Sequence, residues 1–499
     1  MIIVTMIIST ACSDFLDKES LTQLDESNFW KTELDAQAAL TAAYSGLRTS
    51  IFGSVRGANG VSIDLESLSD NAICTSGFVN LNNILPGGVT PSTTGAIAQF
   101  WTDCYNGIAK CNYFLANVDR VKDIVSATNY DKYTAEALFL RCYYYNELIQ
   151  LYGAVPLVLE PQDINSGYKQ LPRTPKADVV TQLLKDLDTA IDGLPMSTNT
   201  SAPVPAYTDG HAVKGSAIML KARILMNNQR YAEAAAAAWT LIQYPAGSVD
   251  NPFKLHTSYQ ELFFRGQKNN PEIMFSVMYS APDDYHQLDQ YVGSRMSCFP
   301  TPQLRDAYKA DANGKMDPRK KMTIIQDGEY WVNNPTTHTF TQTGSKAEGT
   351  IPFTKMAFKK WIDTTLYVAN SANLSDQHIV KMRYADLLLM YAEAMFESGQ
   401  GTDQSAIDAL NAVRARKGVE LAPVAALTQD IIRDERRVEL AYEGLRYNDL
   451  IRWGIAETVI PTIKYAANGS MRKFDGYLWP IPQGQMDIMQ GVWTNNAPW

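Results

Sequence analysis

Histidine is scarce in this chain: five among 499 residues, at 211, 256, 286, 338 and 378. Each stands alone, and none has a second histidine at helical ligand spacing, which argues against a histidine-built zinc site. Six cysteines are present and none belongs to a Cys-x-x-Cys pair. Zinc ribbons and thioredoxin-type redox chemistry are therefore unsupported. Basic residues are the minority, 44 Lys and Arg against 53 Asp and Glu, for a net charge of −9. With no basic tract, nucleic acid and anionic membrane surfaces are poor partners. The motifs of serine hydrolases, zinc proteases, dinucleotide enzymes and P-loop proteins (GxSxG, HExxH, GxGxxG and the Walker loop) are missing as well. Ser166-Gly167-Tyr168-Lys169 fits SxxK but lies between Pro161 and Pro172 rather than at a helix start. Asp311-Ala312-Asn313-Gly314 opens like a calcium loop, yet it lacks the third ligand and misplaces the glycine, so it reads as a polar turn. Asp and Glu are abundant, and a glycosidase pair, at ~5–10 Å, stays open because spacing in sequence does not fix spacing in space.

What is there is a large apolar fraction, 45% hydrophobic and 10% aromatic, enough for an extensive core and too much for a disordered chain. The chain begins MIIVTMIISTA and then Cys12. The apolar stretch is shorter than the ~20 residues that span a bilayer. A short apolar run ending in small residues fits a secretory signal. A cysteine directly after Ser9-Thr10-Ala11 predicts a lipoprotein cleavage site, with residues 1–11 the signal remnant and Cys12 the lipidated first residue. A buried N-terminal strand is the competing reading. Cys74, Cys104, Cys111, Cys142 and Cys298 read as buried thiols.

Helical periodicity dominates the rest. Tyr384, Leu387, Leu388, Tyr391, Ala392 and Met395 form one apolar stripe, Gly399 stops it, and Ala406, Ile407, Leu410 and Val413 begin the next helix. Residues 212–243 repeat the design, with Ala217, Leu220, Ala222 and Leu225 before Tyr231, Ala234, Ala235, Ala238 and Trp239. Small residues at the crossing and a Tyr opening the second helix suggest a tetratricopeptide-type unit. Helix 137–152 is apolar nearly all round, so it should be buried, paired with 176–191. Residues 36–48, with Thr32 and Asp35 as a capping start, and 101–118 make a fourth pair. Four pairs suffice for a superhelix with a continuous core. Residues 53–98 and 244–382 lack a 3.6 period and are rich in Pro and Gly. They read as a loop-rich lobe with short strands such as 272–280, and long irregular insertions of this kind usually carry function. The expected fold is mainly α, with a helical scaffold over about 28–50, 101–243 and 383–456. At 433–453 and just ahead of it, Ile431, Glu435, Val438 and Tyr442 share a predicted helical face. Glu435 on an apolar stripe reads as a catalytic acid or, preferably, as part of an Arg–Glu network with Arg436, Arg437, Arg446 and Arg452.

The segment RRVELAYEGLRYNDLIRWG (436–454) closely resembles the signature of the SusD/RagB family. So do GYLWPIPQGQM (476–486), the terminal TNNAPW, NFWKTELDAQAALTAAYSGLR (28–48), WTDCYNGIAKCNYFLANVD (101–119), LFLRCYYYNELIQLYGAVPLV (138–158) and RYADLLLMYAEAMFESG (383–399). The resemblance runs from Cys12 to Trp499 and implies one SusD-like domain over 12–499. It implies an outward-facing outer-membrane lipoprotein that binds glycans, has no enzymatic activity and no cofactor, and caps a SusC-type TonB-dependent transporter. Nucleic acid is not among its partners. It implies a ligand site in the loop before the second helix and in the irregular lobe. Sugar rings present an apolar C–H face and a hydroxyl rim, matched by aromatic and by Asn or Arg side chains. The candidates are Phe78, Asn80 and Asn82 from the first stretch, and Tyr285, Tyr291, Arg295, Tyr330 and Trp331 from the second, with Trp361 in reserve. Capture of peptides or glycopeptides by the same architecture, a glycoside hydrolase, and a peptide-binding repeat scaffold are the competing functions. The negative net charge favours neutral glycans.

Overall fold

A computed structural model describes residues 29–49, 51–53, 62–74, 81, 83–162, 171–199, 205–288, 292, 297–326, 329, 352–363 and 375–499. Cys12 and the signal-like start lie outside them, as does the SxxK stretch.

Eight helices pair in chain order. They are α1 (Glu33–Tyr44), α2 (Ala96–Asn117), α3 (Ala127–Tyr152), α4 (Lys176–Gly193), α5 (Lys214–Asn227), α6 (Tyr231–Ile242), and, after the lobe, α9 (Tyr384–Met395) and α10 (Gln404–Arg414). Each packs on the next along this list, α6 passing directly to α9. That is the stacked-pair scaffold expected from periodicity. The start of α1 is set as predicted. Thr32 accepts the Asp35 amide at 3.3 Å, and Asp35 accepts the Thr32 amide at 2.8 Å. Helix α3 lies between α2 and α4, so it is buried along almost all of 135–152. Its one buried cation, Arg141, is paired with Asp186 of α4 at 2.6 Å and reaches Asn112 of α2 at 3.0 Å. Gly107 of α2 is needed because the Tyr144 ring occupies the space where a Cβ would stand, 2.5 Å away.

The lobe between α6 and α9 contributes two short helices, α7 (Pro302–Ala307) and α8 (Arg319–Thr323), and most of six short strands. The strands are β1 (Ala72–Cys74), β2 (Ile273–Val277), β3 (Cys298–Pro300), β4 (Ile324–Gln326), β5 (Met356–Phe358) and β6 (Ile379–Arg383), paired antiparallel as β1–β3, β2–β6 and β4–β5. Strand β2 rests on the scaffold, with Phe275 edge-on to Phe139 of α3 at 4.9 Å. Strand β6 runs straight into α9.

The C-terminal part adds α11 (Gln429–Glu439), α12 (Arg446–Arg452), α13 (Ala456–Val459) and α14 (Gln483–Ile488). One sequence expectation fails here. Helix α11 ends at Glu439, so Tyr442 is not on its apolar face. Tyr442 instead adopts a left-handed backbone (φ 60°) and stacks flat on Phe358 of β5 at 3.7 Å. The terminal motifs stitch the chain's end to the scaffold. Trp479 meets Phe100 and Tyr152 edge-on, and the Asn496 amide donates to the Tyr152 and Trp479 carbonyls at 2.9 and 2.7 Å.

Candidate ligand-binding site

The lobe is built on two ribbons. In β1–β3 the register pairs Ala72 with Pro300, Ile73 with Phe299 and Cys74 with Cys298. Segments 75–83 and 289–297 therefore attach at the same end of this ribbon. In β4–β5, Gln326 pairs with Met356, so segment 327–355 attaches at that end. Strand β3 packs on β5, and the Phe299 and Phe353 rings meet edge-on at 5.6 Å. The described stems of three candidate segments are thus brought together. Asp70, just before β1, fixes the frame. Arg446 of α12 grips it at 2.8 and 3.1 Å, and Arg437 of α11 pairs with it at 2.9 Å. Burial works to raise its carboxyl, but these guanidiniums hold it below the usual range. The Asp70 carbonyl accepts the Thr301 hydroxyl at 2.6 Å, which ties the far end of β3 to the same point.

A further stretch of the lobe is segment 279–288. Ser280 and Asp284 exchange backbone hydrogen bonds at 2.8 and 2.9 Å, and the His286 amide donates to Ser375 at 2.8 Å. The buried His286 ring lies edge-on to Tyr279 at 4.6 Å. Burial lowers its pKa to about 4, so the ring is neutral. Its Nε2–H donates to the Gln377 carbonyl at 2.7 Å while Nδ1 accepts from the Leu288 amide at 3.2 Å. Tyr285, half-buried, sits on this pinned strip. Its neighbour Asp284 forms an ion pair with Arg48, whose guanidinium lies over the Tyr279 ring at 4.4 Å. Arg48 also lines a cavity of about 200 Å³ with Tyr44, Asp209, His211 and Met278. The buried Glu136 accepts from Tyr44 and contacts His211 Nδ1, both at 2.6 Å, and that bond raises the His211 pKa. Arg48 and Asp284 went unnoticed in the sequence. A cation just past α1 and an acid in a turn carry no periodic signal, and only the fold joins them.

Of the eight leading candidates named from sequence, Tyr285 alone is among the described residues; Phe78, Asn80, Asn82, Tyr291, Arg295, Tyr330 and Trp331 lie outside them, while the reserve candidate Trp361 is described. Trp361 is corrected. It is 1% exposed, its indole N–H donates to the Tyr442 carbonyl at 2.7 Å, and its ring packs on Phe263 at 4.5 Å. It is a core residue. A second aromatic cleft, of about 310 Å³, lies away from the lobe, lined by Trp101, Tyr105 and Trp493 with Asn106, Gln162 and Gln485 among its polar groups.

Glu435 is buried and paired, as preferred, but with other partners. Arg319 holds one oxygen at 2.6 Å and Arg414 the other at 2.8 Å. The four arginines named from sequence bind elsewhere. Arg436 meets Asp386 and Asp449, Arg452 meets Glu393 and Asp449, and Arg437 and Arg446 meet Asp70. At the centre is Glu439, which receives Arg319, Arg383 and Arg416 at 2.7–2.9 Å. Burial opposes its ionisation, yet the three guanidiniums drive its pKa far down. A carboxylate so held cannot give or take a proton near neutral pH. Asp311 is likewise occupied, accepting the amides of Asn313, Lys315 and Ala422, which makes it a turn.

Family models match the chain in two blocks. Residues 261–499 match the SusD family, and residues 14–218 match the family described as starch-binding and associating with the outer membrane. The chain belongs to the SusD/RagB family. The SusD-like protein P38 of Formosa agariphila is 25% identical, the alignment covering 96% of this chain and 94% of that protein. A SusD-like carbohydrate-binding protein of Bacteroides fragilis superposes with a TM-score of 0.76 at 26% identity, covering 92% of this chain and 99% of that one. A laminarin-binding SusD-like protein superposes with a TM-score of 0.72 at 24% identity, covering 94% of this chain and 100% of that one. The stacked helix pairs with a loop-rich lobe are thus a SusD-like fold in a carbohydrate-binding family. As a SusD-like protein the chain associates with the outer membrane, the location that the resemblance implied.

Proposed function

We propose that this SusD-like protein captures oligo- or polysaccharide at the cell surface and passes it to a SusC-type TonB-dependent transporter. In this reading residues 12–499 act as one unit, tethered through a lipid on Cys12, and catalyse nothing. The observation that carries it is the convergence of the β1–β3 and β4–β5 stems, β3 packed on β5, on a frame where Arg446 and Arg437 clamp Asp70. Binding surfaces are best placed on loops held by a rigid scaffold. The buried carboxylates around α11 each face a guanidinium, which favours a binding role over acid–base chemistry. On this reading Tyr285, Tyr291, Tyr330 and Trp331 supply ring faces, and Phe78 adds a further one. Asn80, Asn82 and Arg295 meet the hydroxyl rim.

The test is affinity electrophoresis of residues 20–499 against neutral plant, host and microbial polysaccharides, with Tyr285→Ala, Trp331→Ala and Trp493→Ala alongside. Retardation on one glycan class, weakened by either lobe variant and kept by Trp493→Ala, is the expected result. Loss only in Trp493→Ala would move the site to the Trp101 cleft. A folded protein retarded by no glycan would sink the reading.

A further inference from the structure

Strands β1 and β3 set Cys74 directly opposite Cys298. Opposed residues of an antiparallel pair put their side chains on one face with Cα atoms ~4.5–5.5 Å apart. A disulfide spans Cα separations of ~4.4–6.8 Å, so the register suits one without backbone movement. Both side chains are buried in the same core. A third group faces them. The buried Arg472 guanidinium is fixed by the carbonyls of Ser69 and Ala72, and its Nε has no hydrogen-bond partner among the described residues. Burial lowers its pKa to about 10, while Asp70 and the sulfurs of Cys298 and Cys74 act to raise it, so the cation lies within electrostatic reach of both thiols. A neighbouring guanidinium favours the thiolate, which is the attacking form. The other cysteines lack such a strand register, although Cys111 of α2 and Cys142 of α3 lie within electrostatic reach of each other and of Arg141. Cys104 and Cys111 lie seven positions apart on α2, ~10 Å along the axis. Cys142 donates to the Leu183 carbonyl at 3.5 Å.

We propose that Cys74 and Cys298 are a cross-link site that closes to an intramolecular disulfide in the exported protein. The oxidant is a disulfide, of a small molecule or of a protein. One thiol loses its proton and its sulfur attacks that disulfide, expelling a thiolate. The second sulfur, deprotonated in turn, attacks the mixed disulfide and expels the other. The protein loses two protons and two electrons, and the oxidant becomes two thiols. Envelope compartments are oxidising enough for such bonds to persist. The bond would tie the base of the ribbon at which segments 75–83 and 289–297 attach.

Peptide mapping tests this. The full chain is recovered from the cell envelope, alkylated with iodoacetamide in denaturant without reductant, digested and weighed. A second sample is first equilibrated with oxidised glutathione in mild denaturant. The expected result is a Cys74 peptide joined to a Cys298 peptide, lighter by two hydrogen atoms than the separate pair. Dithiothreitol should separate it, and Cys104, Cys111 and Cys142 should be alkylated. A Cys142→Ala variant should retain the link. Alkylation of both Cys74 and Cys298 in both samples would overturn the proposal, as would Cys74 joined to any other cysteine.

Discussion

Glu439 shows how one side chain can hold a lobe to a scaffold. It has no exposed surface, and its partners come from α8 (Arg319), the end of β6 (Arg383) and the turn after α10 (Arg416). Removing one member of a buried charged group leaves the rest uncompensated, at ~3–5 kcal/mol. Glu439→Gln keeps the shape and removes the charge, and should lower stability by about that amount in chemical denaturation. A loss below ~1 kcal/mol, the worth of a surface pair, would show the network to be dispensable. Trp361→Ala separates packing from recognition. It should cost ~3–5 kcal/mol yet leave glycan retardation unchanged under conditions where the variant is folded; a selective loss of retardation would return Trp361 to the site. Sequence showed that Glu435 must be buried and neutralised, because an acid on an apolar face admits little else. It did not show the partners, since Arg319 is more than a hundred positions away and the arginines next door are committed to other acids.

At the scale of elements, the helices were legible because each buries one face at a 3.6-residue period, and α3 because it buries all of them. The end of α11 was misread because Tyr442 is apolar for a different reason: it caps β5 by stacking on Phe358, and its amide donates to the buried Glu66 at 3.1 Å. The three-residue strands carry too little pattern to be read, and β1–β3 and β4–β5 pair across masses of intervening chain. The close α2–α3 crossing gives a direct test. Gly107→Ala drives a methyl into Tyr144 and should cost ~1–3 kcal/mol by overpacking. Gly266→Ala meets nothing within 4 Å and should change the melting temperature little. Equal effects would mean that the crossing has slack.

For the whole molecule, acid should act in two stages. His286 and His378 have folded pKa values lowered by burial to about 4 and about 3 from the ordinary 6.5. Each favours the neutral form, so its contribution is full above 6.5 and is lost as pH falls from 6.5 toward those values. Glu272, Glu439, Asp70, Asp386 and Asp449 are depressed by guanidiniums that outweigh burial, so their contribution is lost below the ordinary 3.8–4.5. Glu66, Glu147 and Asp103, raised by burial, and His211, raised by Glu136, act in the opposite sense, but the depressed set is larger. The melting temperature should therefore fall from pH 6.5 downward and faster below ~4.5. His286→Gln should flatten the first stage, and an unchanged slope there would remove His286 from the account. The architecture of this protein was readable because helical repeats are a local pattern. The ligand site was readable only as a region, because it draws on residues that the chain's periodicity leaves unmarked. The clamp at Glu439 has one more consequence, in the order of synthesis. Glu272, Arg319, Arg383 and Arg416 all emerge from the ribosome before it. A chain cut short before residue 439 lacks the one anion that these three cations share, and keeps their separate pairs with Asp317 and Glu272. The clamp thus ties the joining of lobe and scaffold to synthesis of the chain through residue 439.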